Sequence, residues 1–152
     1  MKRRVDWVSR LRAAIDKTKS TTFKYGRFDC CVGAAHLWKA QTGVDVMKRL
    51  RRYSTARGAA MVLARAAPKG TGKARRLEAV AEIMAREAGL VEVEPLRAQR
   101  GFIVIVEAPT PDGMADALGI VDLDGVHILV PGVPGGWFKR PLSEARRAWG
   151  VA

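Results

Sequence analysis

The sequence predicts one α+β domain, with helices through the first ninety residues and a small antiparallel sheet after them. Up to residue 90, apolar side chains recur at three- and four-residue spacing, the period of amphipathic helices. From residue 101 the apolar runs turn short and β-branched, as strands do. Asp124-Gly125, between two such runs, is a hairpin signal. A chain of 152 residues buries its own core without staples. The domain is therefore expected to span 1–152, with a helical part over about 1–90, a sheet over about 101–140 and a short closing helix over 143–149.

Val5, Trp7, Val8, Leu11 and Ile15 make residues 5–17 an amphipathic helix, with Arg3, Arg4, Arg10 and Arg12 at its wet side. A polar loop, Lys17 to Thr22, follows. Asp29 is an N-cap residue type, and Val32, Ala35, Leu37 and Trp38 continue as a helix that Gly43 closes. Ser54 or Thr55 caps a further helix to about Ala66. Pro68 to Lys73 has the glycine and lysine content of a phosphate loop without its spacing, and reads as a basic loop. Leu77, Val80, Ala81, Ile83 and Met84 give another amphipathic helix, ending at Gly89. Strands are expected at Phe102–Val106, Ala117–Leu123, Val126–Val130 and around Trp137, and Pro141 to Ser143 is read as the cap of the closing helix.

Composition excludes several classes. No apolar run approaches 18 residues, so no membrane span is expected, and the N-terminus leads into an amphipathic segment rather than a signal-peptide core. The chain is therefore expected to be made in a cytoplasm. Adjacent Cys30 and Cys31 cannot build a disulfide framework, and their spacing to His36 and His127 matches no common zinc pattern. No metal or cofactor is expected. Net charge is +12, unevenly spread: residues 1–100 hold 23 Lys/Arg against 9 Asp/Glu, while 101–138 hold no Lys or Arg and five acids. Residues 47–76 carry ten Lys/Arg and no acid, too one-sided for salt-bridge lacing along a helix.

Cys30 stands at a helix N-terminus, where free backbone N–H groups and the helix dipole favour the thiolate of a nucleophilic cysteine. The same residue type is also commonly buried as a small apolar side chain. His36 lies about 120° around the same helix, so it cannot face that thiol.

Tyr25-Gly26-x-x-Asp29-Cys30, the helix after it, and the later Gly101-x-Ile-Val-x-Val and Ala117-Leu-Gly-Ile-Val resemble the NlpC-type cell-wall cysteine peptidases. Closer still is an uncharacterised branch of that superfamily found in tail gene clusters of phages and prophages. There the helix is followed by Thr-Gly-x-Asp and Tyr-x-Thr-x-x-Gly-Ala, which here read Thr42 to Asp45 and Tyr53 to Ala59. The match covers about residues 7–149. It implies a papain-like fold, with the cysteine helix packed on a small sheet that supplies a histidine. The position matching that histidine is Ala117, and the strand that begins Gly-Asp in the relatives begins Gly101-Phe102 here.

The expected function is accordingly a tail-tip or baseplate component with this fold, structural or assembly-related, with reduced or absent peptidase activity. It would be assembled in the host cytoplasm and end in the virion, among other tail-tip proteins. The rival is a working peptidoglycan endopeptidase with Cys30 as nucleophile and His127 as base, acting on cell-wall peptides. A second rival, from another class, is nucleic-acid binding through the basic half. Trp7 and Trp38 fall on apolar faces, which suits core better than base stacking. Arg49, Arg51 and Arg52 are expected to dock an acidic partner surface.

Overall fold

The computed structural model describes residues 1–48 and 50–152. Helix α1, Trp7–Thr18, buries Leu11 and Ala14 and packs on α2, Val32–Thr42. α2 is the central helix: Gly33, Ala34, Ala35, Leu37, Trp38 and Gln41 are all buried, the small residues letting neighbours approach closely. It stops at Gly43, whose φ of 81° is a left-handed conformation that glycine adopts without Cβ strain. α3, Ala56–Ala66, is capped by Thr55, which accepts the Gly58 N–H at 3.0 Å. A 3-10 turn, Lys73–Arg75, leads into α4, Arg76–Glu87, which buries Leu77, Val80, Ala81 and Ala85.

Among the described residues six strands follow: β1 Val91–Val93, β2 Ile103–Thr110, β3 Gly113–Val121, β4 His127–Pro131, β5 Trp137–Pro141 and β6 Arg147–Gly150. They form one sheet in the order β1-β6-β2-β3-β4-β5, each neighbour antiparallel. Side-chain alternation sends Ile103, Ile105, Leu118, Ile120, Leu129 and Trp149 into the core shared with α1, α2 and α4. It sends Val104, Val106, Ala117, Ile128, Val130 and Ala148 to a second apolar layer that Ala98, Leu142 and Ala145 help close. Both faces are covered, which is why these strands read as continuous apolar runs.

The architecture is α+β, as expected, but the closing helix over 143–149 is not formed. Leu142–Glu144 make a single 3-10 turn, and Arg147–Gly150 become β6 between β1 and β2. As a strand, the segment points Ala148 and Trp149 to opposite faces and buries both, at 0% and 2% exposure. Arg147 then reaches the Glu92 carboxylate with both Nε and Nη2, at 2.7 and 2.9 Å. The sheet thus runs from Val91 to Gly150, wider than the expected 101–140.

Candidate functional site

Lys24 and Phe28 exchange backbone hydrogen bonds at 3.0 and 2.9 Å, closing the loop that enters α2. Gly26 sits at its tip with φ 82°, and a Cβ there would come within 1.9 Å of the Tyr53 carbonyl oxygen. Only glycine lets this loop lie against the Tyr53 backbone. Asp29, 1% exposed, ties the contact together. Its Oδ1 accepts the N–H groups of Cys31 and Val32, each at 2.9 Å, as an N-cap carboxylate does. Its Oδ2 accepts the Gly26 N–H at 2.8 Å and the Tyr53 hydroxyl at 2.7 Å.

That places Cys30 at the entry to α2, half-buried, with its sulfur 4.0 Å from that of Cys31. Cys31 is buried, and its thiol pKa is raised by the hydrogen bond with Cys30 and by burial. The Asp29 carboxylate and the two sulfurs lie within 4.8 Å of one another, but the carboxylate already accepts four donors. Its lone pairs are used, which leaves a poor ligand set.

Cys30 lines a cavity of about 590 Å³. Its walls are mainly aliphatic, among them Met47, Leu50, Leu63, Leu77 and Met114. Tyr25 and Asp116, two of the polar groups at its rim beside Lys73 and Glu107, are occupied. Tyr25 donates its hydroxyl to Asp112 at 2.8 Å, and Asp116 pairs with Arg146 at 2.5 Å. Burial, helped by the bond to Asp112, pushes the Tyr25 phenol up to about 12. Burial likewise raises the Tyr53 phenol, with Cys31 and Asp29 adding to it.

Among the described residues no histidine borders this cavity. His127 Nδ1 is 2.6 Å from Asp124 Oδ2, in the turn between β3 and β4. The cavity touches β3 at Met114 to Asp116, whereas the His127 carbonyl takes the N–H of Asp122, roughly 20 Å further along that strand direction. His36 is on the outer side of α2, its pKa lowered by desolvation and by Lys17 and Lys39. Ala117 is fully buried in the second apolar layer, against which Cys30 also packs, and an alanine there supplies no base. Cys30 and His127, named together as nucleophile and base, are thus not brought together.

Arg51 and Arg52 line a second cleft, of about 670 Å³, with Lys24, Arg27, Lys39 and Lys48. Arg49 lies outside the described residues. The convergence of Lys24, Arg27 and Lys39 on the same cleft was invisible in sequence, because they come from a loop and a helix outside the 47–76 stretch. The roles of Tyr25 and Tyr53 as hydroxyl donors to Asp112 and Asp29 were also missed. Their only signal was membership in the Tyr-Gly and Tyr-x-Thr motifs.

Residues 2–151 match the model of a domain family of unknown function, DUF6950, and the chain belongs to that family. No curated protein matches the chain.

Proposed function

We propose that this member of the DUF6950 family is a structural or assembly component of a phage or prophage tail tip. In this reading it keeps the papain-like scaffold of the NlpC-type peptidases without a working peptidase site. The observation that supports it is a cysteine cavity without a base. Thiol proteolysis needs a group that takes the thiol proton and returns it to the leaving amine. His127 is held by Asp124 away from Cys30, and the position that resembles the histidine of the peptidases is Ala117. Cys30 at the entry to a helix that packs on an antiparallel sheet is in keeping with that scaffold. Nucleic-acid binding is ranked lower because Trp38 is wholly buried and Trp7 is covered by the Arg3 guanidinium, 3.9 Å from its ring.

The test is direct. Purified protein incubated with peptidoglycan stem peptides is expected to cleave none of them beyond the Cys30→Ala background. Cleavage that disappears in Cys30→Ala would replace this reading with that of an active endopeptidase. Mass spectrometry of purified particles is expected to find the chain in the tail fraction, and its absence there would count against the tail-tip assignment.

A further inference from the structure

The basic cleft and the Cys30 cavity are neighbours. Tyr25, Met47, Leu50 and Tyr53 line both, so the two are opposite sides of one partition. On the cleft side stand Lys24, Arg27, Lys39, Lys48, Arg51 and Arg52, with Asp45 the acid facing them. None of these six described cations makes an ion pair, whereas Lys139, Arg140, Arg146 and Arg147 at the other end of the chain all do. The Asp45 carboxylate is turned to its own chain, accepting the Met47 N–H at 2.9 Å. Six unneutralised cations around one concavity repel each other until something anionic enters.

We infer that the cleft and the cavity together form one groove for an acidic peptide segment of a partner protein, carrying one aliphatic side chain that seats beside Cys30. Three observations favour a peptide over a nucleic acid. The cavity is walled by aliphatic side chains and takes an aliphatic group, which a phosphate backbone does not supply. Lys73 lines the cavity beside Glu107 and Asp116, the latter paired with Arg146, so the cavity has no basic excess to hold a phosphate backbone. The aromatic rings at the partition, Tyr25 and Tyr53, are anchored through their hydroxyls to Asp112 and Asp29, and are not free platforms for stacked bases. This inference rests on the non-catalytic reading above, since an occupant that is held rather than cut suits an assembly part.

The experiment uses the full chain and a fluorescent polyglutamate peptide with a single central leucine. Binding is followed by anisotropy, and the rate of Cys30 alkylation by iodoacetamide is read by mass spectrometry. Bound peptide is expected to slow alkylation of Cys30 in proportion to occupancy. Replacing the leucine by serine is expected to weaken binding about tenfold or more, as loss of a buried aliphatic side chain does. The double reversal Arg51→Glu/Arg52→Glu is expected to weaken it by at least about tenfold, with unchanged circular dichroism. Lys39→Glu, on the exposed side of α2, is an independent variant expected to act in the same direction. Equal affinity for the serine peptide, no protection of Cys30, or tighter binding and equal protection by an oligothymidylate would each overturn the inference. Cleavage of the bound peptide would instead overturn the non-catalytic reading while leaving the groove intact.

Discussion

The Tyr53 hydroxyl donates to Asp29 Oδ2 at 2.7 Å, and this bond fastens the approach to α3 onto the N-terminus of α2. The same carboxylate takes three backbone N–H groups, so one buried side chain fixes the loop, the helix start and the position of Cys30. Asp29→Ala leaves these donors without a partner and is expected to lower stability by about 3 kcal/mol or more, measured by urea denaturation. Tyr53→Phe removes one charge-assisted bond and is expected to cost about 1–2 kcal/mol. In a double-mutant cycle the two are expected to be non-additive, since they share that bond.

The two tyrosines give the protein an alkaline signature, because the chain has no others. Both phenols are raised above 10, Tyr25 to about 12, so the folded state favours the neutral form. A group raised in the folded state contributes stability that is present below its unfolded pKa and is lost as pH rises through the folded one. Phenolate absorbance of the native protein is therefore expected to stay flat through pH 10, and stability to fall from about pH 10 towards 12. Denatured protein is expected to titrate both phenols near 10. A native transition at 10 would show that the rings are wet.

Much of this was legible in sequence, and the misses share one cause. Asp29 as cap, Gly43 as helix end and Asp124-Gly125 as hairpin turn are local devices, each decided by a residue and its immediate neighbours. β1 and β6 are not local. Val91–Val93 is too short to show a period, and Ser143 to Trp149 contains good helix formers. Only pairing with β1 and β2, both more than forty residues upstream, makes that second segment a strand. The site divides the same way. Cys30 was placed by its motif and helix, while its distance from His127 and the clustering of Lys24, Arg27 and Lys39 depend on tertiary packing.

The adjacent thiols are expected to differ in reactivity. Cys31 is buried and its thiol pKa is raised, whereas Cys30 is half-buried beside the cavity. Native protein is expected to take up one equivalent of iodoacetamide, at Cys30, and Cys30→Ala to take up none until denatured. Uptake of two equivalents at comparable rates in the native state would contradict this burial.

β6 is expected to carry stability out of proportion to its four residues. Arg147 links it to Glu92 on β1 and to Glu78 and Glu82 on α4, while its guanidinium lies 4.8 Å from the Trp149 ring. These partners raise its pKa, led by the hydrogen bond to Glu92. Arg147→Ala removes the network centre and is expected to cost about 1–3 kcal/mol. Arg10→Ala, which breaks an exposed pair with Asp6, is expected to cost less than about 0.5 kcal/mol. Similar losses in the two variants, by thermal or chemical denaturation, would show that Arg147 acts as a surface charge only.

A final prediction concerns Ala117, the position that resembles the histidine of the peptidases. A retained but unused catalytic position would leave space for a ring. Here Ala117 is fully buried and paired with Val106, in an apolar layer that also holds Val104, Ile128 and Val130. An imidazole there would be overpacked and its polar nitrogens desolvated. Ala117→His is expected to destabilise the domain by about 2–4 kcal/mol rather than to install a base. Denaturation reads the first effect, and the pH dependence of Cys30 alkylation reads the second. A stable Ala117→His variant with a Cys30 thiol that reacts at lower pH would mean that the layer has room for a ring and that a base at this position reaches the thiol. A destabilised variant with unchanged Cys30 reactivity would mean that packing has closed over the position, so that placing a base there would require rebuilding the layer around it.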